Sequence, residues 1–429
     1  MTHHPDRGYA QKLDQDDPLR KFRDRFHIPT QENGDPTIYF CGNSLGLQPK
    51  GVRADIEQEL EDWAALGVEG HFDGRDPWYA YHEKFAEGLS DIVGANAKEI
   101  VVMNTLTTNL HLMMVSFYRP TEGRFKILME GGAFPSDHYA LDSQAKFHGF
   151  DPEEAVVKLE PRPTAYGEGA EETLRDADIL QAIEELGDEL AVVMLGGVNY
   201  YTGQLFDLEA ITEAGHKVGA KVGFDLAHAA GNVPLELHDW GVDFAVWCSY
   251  KYLNAGPGAT AGCFVHERWA DAPDLPRFAG WWGTDPETRF QMAPEFAPQP
   301  GAAGWQLSNA PVFSMAPLKA SLRLFNEAGV ERLREKSLGL TDYLLYLVDQ
   351  MPSGSFEVIT PRAPNSRGSQ VSLQAKRDGK KLFDALQAEG VICDWREPDV
   401  IRLAPVPLYN SYEDVWTFCD ILSRTLEAS

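Results

Sequence analysis

Apolar residues recur at helical spacing near the start of the chain. Leu13, Leu19, Phe22 and Phe26 predict an amphipathic helix over the first thirty residues. The stretch 39–49, Tyr-Phe-Cys-Gly-Asn-Ser-Leu-Gly-Leu-Gln-Pro, is broken by glycine, asparagine and proline and predicts a loop. A helix is predicted over about 50–66. From about 98 to 270 the pattern changes to short apolar runs separated by helical ones. The runs 99–103, 125–129, 191–195, 221–225, 244–248 and 260–265 predict strands, and 105–117, 173–187 and 207–219 predict helices. Strands that are apolar throughout imply a mainly parallel sheet covered on both faces. The acidic stretch 151–190 predicts a surface loop and helix. Residues 271–312, rich in Pro, Gly and aromatics, predict a long ordered loop or an arm between subunits. Beyond it come a long helix (316–350), strands near 356–359, 369–373, 391–396 and 400–404, and a last helix over 412–427, which together form a smaller α+β domain. The chain thus divides into an N-terminal segment 1–85, a large domain 86–312 and a small domain 313–429.

Composition narrows the function classes. Apolar content of 43% and charged content of 24% over 429 residues are those of a globular protein with a sizeable core. The net charge of −27 argues against nucleic acid and anionic membrane as partners, since both select basic surfaces. Five widely spaced cysteines without a C-x-x-C pair fit reduced thiols in a cytoplasmic protein. No apolar run reaches membrane-spanning length, and the first residues lack the apolar core of a signal peptide. The twelve histidines show no H-E-x-x-H or other ligand spacing, so no metal is expected. Gly256, Gly258 and Gly262 imitate a dinucleotide fingerprint, but an apolar strand follows them where a helix is required.

One pairing carries the chemistry. Lys251 follows the run 244–248, and Asp225 ends the run 221–225, so both point at the crevice beyond the carboxyl ends of a parallel sheet. A lysine that can form a Schiff base, with a carboxylate to keep a pyridine nitrogen protonated, is what pyridoxal 5'-phosphate (PLP) requires. Trp247, Cys248, Tyr250, Tyr252 and Leu253 surround the lysine with apolar company, which favours a nucleophilic amine. Asp225 is alternatively a cap for a helix starting near Ala227. The run Asn-Thr-Leu-Thr-Thr-Asn (104–109) opens a helix and suits phosphate, or is plain capping. In the run 131–138, Phe134 offers a ring to stack on the pyridine and Asp137 a carboxylate near it; by itself the run is only a turn. Arg402 offers a bidentate clamp for a carboxylate, or a structural ion pair.

With these residues assembled, the chain resembles kynureninase, a PLP enzyme of the aspartate-aminotransferase fold type. The resemblance runs from about residue 37 onward and is most specific at 40–50, 133–140, 223–233, 238–256 and 402–410. It implies an α/β fold whose large PLP-binding domain carries a mainly parallel seven-stranded sheet, with a smaller α+β domain to which the N-terminal segment contributes. It implies that Lys251 carries the cofactor, Asp225 and His228 hold the ring nitrogen side, Phe134 stacks, and Asp137 supports the far side. Leu106, Thr107 and Tyr250 would hold the phosphate, with Tyr250 also moving protons, and Gly196 would lie near the cofactor. Trp281 and Asn309 would reach in from the second subunit of a homodimer. Arg402 would anchor the substrate carboxylate, and His71 and Asn309 would face its aromatic ring. The implied reaction is hydrolysis of L-kynurenine or L-3-hydroxykynurenine to anthranilate or 3-hydroxyanthranilate plus L-alanine, in tryptophan catabolism and NAD biosynthesis. Two hydrogen-bonding residues at the ring lean toward the hydroxylated substrate. Gly196, where some relatives have serine, and Thr284, where histidine is expected, depart from the pattern. A cysteine desulfurase-like enzyme or an aminotransferase is the alternative within PLP chemistry. A desulfurase needs a mobile nucleophilic cysteine, and Cys41 is its candidate; a catalytically silent PLP-binding protein is the alternative outside catalysis.

Overall fold

A computed structural model describes residues 3–164, 170–269, 272 and 275–427. The parts of the 151–190 and 271–312 readings that fall on 165–169 and on 271, 273 and 274 lie outside the described residues, as do Met1 and Thr2.

The strands, in chain order, are β1 (Ile38–Tyr39), β2 (Ile100–Val102), β3 (Lys126–Glu130), β4 (Val156–Leu159), β5 (Leu190–Gly196), β6 (Lys221–Asp225), β7 (Phe244–Trp247), β8 (Gly262–Val265), β9 (Phe356–Val358), β10 (Val371–Ala375), β11 (Val391–Ile392), β12 (Asp394–Arg396) and β13 (Val400–Leu403). The large sheet has the order β2-β8-β7-β6-β5-β3-β4. Neighbours from β7 through β4 run parallel, and β8 is antiparallel to both of its neighbours. The apolar runs are continuous because both faces are covered. Leu128, Val193, Leu195, Val222, Phe224, Ala245 and Trp247 pack into one core, while Ile127, Met129, Val192, Met194, Phe244 and Val246 pack into another. The expected α/β architecture with its mainly parallel seven-stranded sheet is therefore present.

The smaller part is an antiparallel sheet, β12-β13-β10-β9, packed with the helices Val330–Val348, Gly379–Ala388 and Tyr412–Glu427. The N-terminal segment joins it: β1 pairs in parallel with β11, and the helix Arg7–Asp16 lies on Tyr412–Glu427. Helix Glu83–Val93 runs across residue 85.

Several elements differ from the sequence pattern. The single helix expected over the first thirty residues breaks at Asp17–Pro18 into Arg7–Asp16 and a 3-10 turn, Arg20–Arg25. Proline cannot donate a hydrogen bond within a helix. Leu19, Phe22 and Phe26 are buried, whereas Leu13 is only half-buried. The helix expected over 316–350 is two, Val312–Ala328 and Val330–Val348, parted by Gly329 at a φ of +82°. The 391–396 run splits at Cys393 into β11 and β12. The acidic stretch hides the edge strand β4, and the turn expected at 131–138 opens a full helix, Pro135–Phe147.

Candidate active site

The carboxyl ends of the parallel strands converge on one cleft. Glu130 ends β3, Gly196 ends β5 and Asp225 ends β6, with Gly196 opposite Asp225 and Asp225 opposite Val246 in register. Tyr250 and Lys251 follow β7 in a turn that Ala255 N–H closes on the Ser249 carbonyl at 2.9 Å. The loop expected at 39–49 packs onto this turn. Gly46 donates to the Tyr250 carbonyl at 2.8 Å, and a Cβ there would lie 2.3 Å from the Lys251 carbonyl oxygen, so only glycine permits the approach.

The cleft has about 580 Å³ of empty space, part of it open to solvent. Nine of the expected site residues line it: Leu106, Thr107, Phe134, Asp137, Gly196, Asp225, His228, Tyr250 and Lys251. Lys251 Nζ lies 3.0 Å from His228 Nε2 and 5.9 Å from the centre of the Phe134 ring. Burial and the Lys251 charge hold the His228 pKa well below the ordinary imidazole value, so the ring is neutral and its Nε2 accepts from the amine. Asp225 Oδ1 accepts from Ala227 N–H at 2.7 Å. The capping reading of Asp225 is thus realised alongside its place in the cleft. Burial raises the pKa of Asp225, against the Ala227 N–H and the Lys251 charge. Burial and then the Asp225 charge raise that of Asp137 well above the carboxylate range. Asp137 therefore holds a proton against the Asp225 carboxylate. Burial keeps the Tyr250 hydroxyl protonated, its pKa pushed above the ordinary phenol value.

Two helix N-termini face the same space. The helix Leu106–Phe117 starts from Thr105 and Pro135–Phe147 from Phe134, and neither has a side-chain cap. Their first turns meet where Thr107 Oγ1 and Ser136 Oγ lie 3.0 Å apart. Asn104 supports this entry. It takes a φ of +49° and donates to Asn109, which in turn donates to the Met103 carbonyl at 2.9 Å. Asparagine tolerates that left-handed conformation. The asparagines therefore build the turn and leave the helix N–H groups free for an anion.

The sequence reading missed Glu130, Ser136, Val198, Tyr200 and Ala227 as wall residues. Glu130 was readable as the last residue of an apolar run, the same signal that marked Asp225. Burial, with the Asp225 charge, pushes its pKa up to about 7, opposed by donors from Asn199 and Gly196.

Arg402, on β13, is buried and lies behind the wall. Its Nη1 donates to the Tyr200 carbonyl at 2.5 Å, and its Nη2 pairs with Asp394. The ion-pair alternative is thus realised, and Nε has no partner. His71, Trp281 and Asn309 are not brought to this cleft by their own chain. His71 Nδ1 bonds the Val68 carbonyl at 3.0 Å, Trp281 is 45% exposed, and Asn309 is exposed. Thr284 is tied to the Ala297 carbonyl by its hydroxyl at 3.0 Å. Cys41 does not line the cleft, and burial pushes its thiol up to about 11, unlike a nucleophilic cysteine. Among the described residues Glu99, His238 and His266 bring ligand-type atoms together. Glu99 there accepts from the N–H groups of Asn96 and Glu267, and His266 Nδ1 from that of Arg268. No described helix is long and apolar enough to cross a membrane.

The site suits a planar ligand with a phosphate, an aromatic ring and a ring nitrogen. Asp137 Oδ1 and His228 Nδ1 are buried without a protein partner, which is costly unless a ligand supplies one. Comparison with known proteins identifies the family. The family described as "Kynureninase C-terminal domain" matches residues 333–422. A kynureninase of Myxococcus xanthus is 59% identical over 415 residues, covering 97% of this chain and 96% of its own. One from Koribacter versatilis is 57% identical over 411 residues, covering 96% of each. Among solved structures, a cysteine desulfurase from Escherichia coli superposes with a TM-score of 0.76 at 19% identity, over 96% of this chain and 98% of its own, a likeness of fold. With more than half of its residues shared along nearly the full length of such relatives, the chain belongs to the kynureninase family.

Proposed function

We propose that the cleft holds PLP on Lys251 and hydrolyses L-kynurenine or L-3-hydroxykynurenine to anthranilate or 3-hydroxyanthranilate and L-alanine, as part of tryptophan catabolism and NAD biosynthesis. The observation that carries this reading is the convergence of Lys251, the Asp137–Asp225 carboxyl pair and two uncapped helix N-termini on one cleft in a chain of this family.

When bound, PLP supplies a protonated ring that accepts the negative charge developing beside the substrate amine. The residues do the rest. The N–H groups at Leu106 and Thr107, with the Thr107 and Ser136 hydroxyls, would hold the phosphate. Phe134 would stack on the ring, and the Asp225 carboxylate would keep its nitrogen protonated. Lys251, once released, would take the Cα proton at Nζ as general base, with neutral His228 accepting from that amine and directing it. Tyr250 keeps its proton at neutral pH and so serves as a donor to the leaving carbon. Arg402 would meet the substrate carboxylate through its unpartnered Nε.

The working unit in this reading is a cytoplasmic homodimer, in which Trp281, Asn309 and His71 complete the site. Exposed Phe72, Trp281, Phe290, Met292 and Phe296 supply an apolar surface suited to a subunit contact. The division at 85/86 and 312/313 is part of the same reading, with the N-terminal segment serving the small domain. The test is direct. The protein is incubated with PLP and each kynurenine, and the fluorescent anthranilates are followed. Product from either substrate supports the reading, and the ratio of rates gives the ring preference. Bound cofactor without product from either rejects it.

A further inference from the structure

We infer that Glu130 is a positioning residue that fixes the separation between the Phe134 ring and the Arg402 guanidinium, and thereby how tightly the cleft grips an amino-acid carboxylate. The inference rests on the proposed reading of the cleft as a cofactor and substrate site. Glu130 is buried at the end of β3. Its Oε2 accepts from Asn199 Nδ2 at 2.8 Å and its Oε1 from Gly196 N–H at 3.2 Å. Asn199 is a hub. Its Nδ2 also donates to the Gly132 carbonyl at 3.1 Å, two residues before Phe134. Its Oδ1 accepts from Tyr201 N–H and Thr202 N–H, each at 2.9 Å, and from the Thr202 hydroxyl at 3.1 Å.

Between these anchors lies Tyr200. Its carbonyl accepts from Arg402 Nη1 at 2.5 Å and from Gln370 Nε2 at 2.9 Å. Its ring meets Phe134 edge-on, with centroids 5.2 Å apart. The clamp of Glu130 on Asn199 therefore reaches the ring platform on one side and the arginine on the other.

As a carboxylate, Glu130 holds the clamp with two acceptors. Both groups facing Glu130 are donors, and glutamine offers one acceptor and one donor, so one contact would set donor against donor. Asn199 cannot relieve this by turning over, because its Oδ1 already serves three donors. A buried mismatch of that kind is resolved by moving the 198–202 loop.

The test uses PLP-loaded wild type, Glu130→Gln, Asn199→Ala and the double variant. Calorimetry gives the Kd of L-alanine, cofactor titration gives the Kd of PLP, and kinetics give kcat and KM for L-kynurenine. Each single variant is expected to raise the L-alanine Kd and KM at least fivefold, with kcat and the PLP Kd changed less than threefold. The double variant is expected to be no weaker than the worse single, because both changes open one clamp. A role confined to folding would lower the yield of loaded protein and leave the L-alanine Kd of the loaded fraction alone. Unchanged L-alanine affinity in the singles, or multiplying losses in the double, overturns the inference. If Glu130→Gln does not fold, Asn199→Ala decides by the same measure. A wild type that binds L-alanine but cleaves no kynurenine, with both single variants binding L-alanine at least fivefold more weakly, rejects the proposed reaction and upholds the clamp. Wild type that binds neither PLP nor L-alanine rejects both.

Discussion

Lys251 Nζ sits 3.0 Å from Nε2 of a neutral, buried His228. The imidazole is an acceptor, and its buried Nδ1 has no hydrogen-bond partner in the protein. Lys251→Ala is expected to bind PLP only reversibly. Borohydride treatment and unfolding should leave a pyridoxyl label on the wild-type peptide containing residue 251 and none on the variant, and turnover should fall on the order of 10³-fold or more. A label that persists in the variant would place the carrier elsewhere.

Asp137 and Asp225 divide one proton between them. Asp137 is the protonated partner, through burial and the Asp225 charge. Asp137→Asn then replaces a neutral group with a neutral group, and is expected to lower kcat/KM less than tenfold. Asp225→Asn removes the anion and is expected to cost on the order of 100-fold, about 2.7 kcal/mol of barrier. Equal losses would show that the proton is not placed this way.

Tyr250 keeps its hydroxyl proton at neutral pH, and partial burial raises its pKa further above the ordinary phenol value. Tyr250→Phe removes the donor and keeps the ring that packs beside Lys251. The cofactor's visible absorbance should be retained while kcat falls about 10²-fold, the usual scale for a positioned proton donor. Unchanged turnover would sink the assignment.

The large sheet was legible because a strand buried on both faces must be apolar throughout, and Val222–Phe224 or Val192–Leu195 admit little else. Asp225 was legible for the same reason: a carboxylate ending such a run is an exception that demands a partner. β4 was not legible. It is an edge strand with Val157 and Lys158 partly or fully exposed, and its acidic flanks mask it. The helix Pro135–Phe147 was missed because Phe134 and Pro135 read as a turn, although proline at the first helical position is a start signal. Glu130 carried the same signal as Asp225, but its role showed only in three dimensions, since it depends on Asn199 far along the chain, and that of Tyr200 depends on Arg402.

Asp243 tests stability apart from catalysis. Buried between elements, it accepts from Val222 N–H at 2.7 Å, Trp269 Nε1 at 2.8 Å and Arg268 Nη2 at 2.6 Å, and lies 2.9 Å from His216 Nε2. The His216 and Arg268 contacts, with the Val222 N–H, outweigh burial and hold its carboxyl down at about 2. A folded pKa below the unfolded one gives stability that is present above about pH 4 and is lost as pH falls through 2. Asp243→Asn should therefore destabilise by about 3 kcal/mol at pH 7. In urea unfolding series the gap to wild type should shrink steadily between pH 4 and pH 2. A gap independent of pH would assign the loss to packing.

The residues that the single chain leaves outside its cleft supply the sharpest test of assembly. Trp281 and Asn309 are exposed, on a loop bordered by exposed Phe290 and Met292. If they complete the neighbour's site, Lys251→Ala and a Trp281→Ala/Asn309→Ala variant should each be nearly inactive, for different reasons. Mixed after gentle dissociation and reassociation, they form dimers of which half are hybrid. Each hybrid has one site with both defects and one intact site, with Lys251 from one subunit and Trp281 and Asn309 from the other. Activity should rise to about a quarter of wild type, the share of intact sites in a statistical mixture of two-fold dimers. If the mixture instead stays at the mean of its two parents while light scattering confirms hybrids, Trp281 and Asn309 act within their own chain, and the loop must close over the cleft that holds its own Lys251.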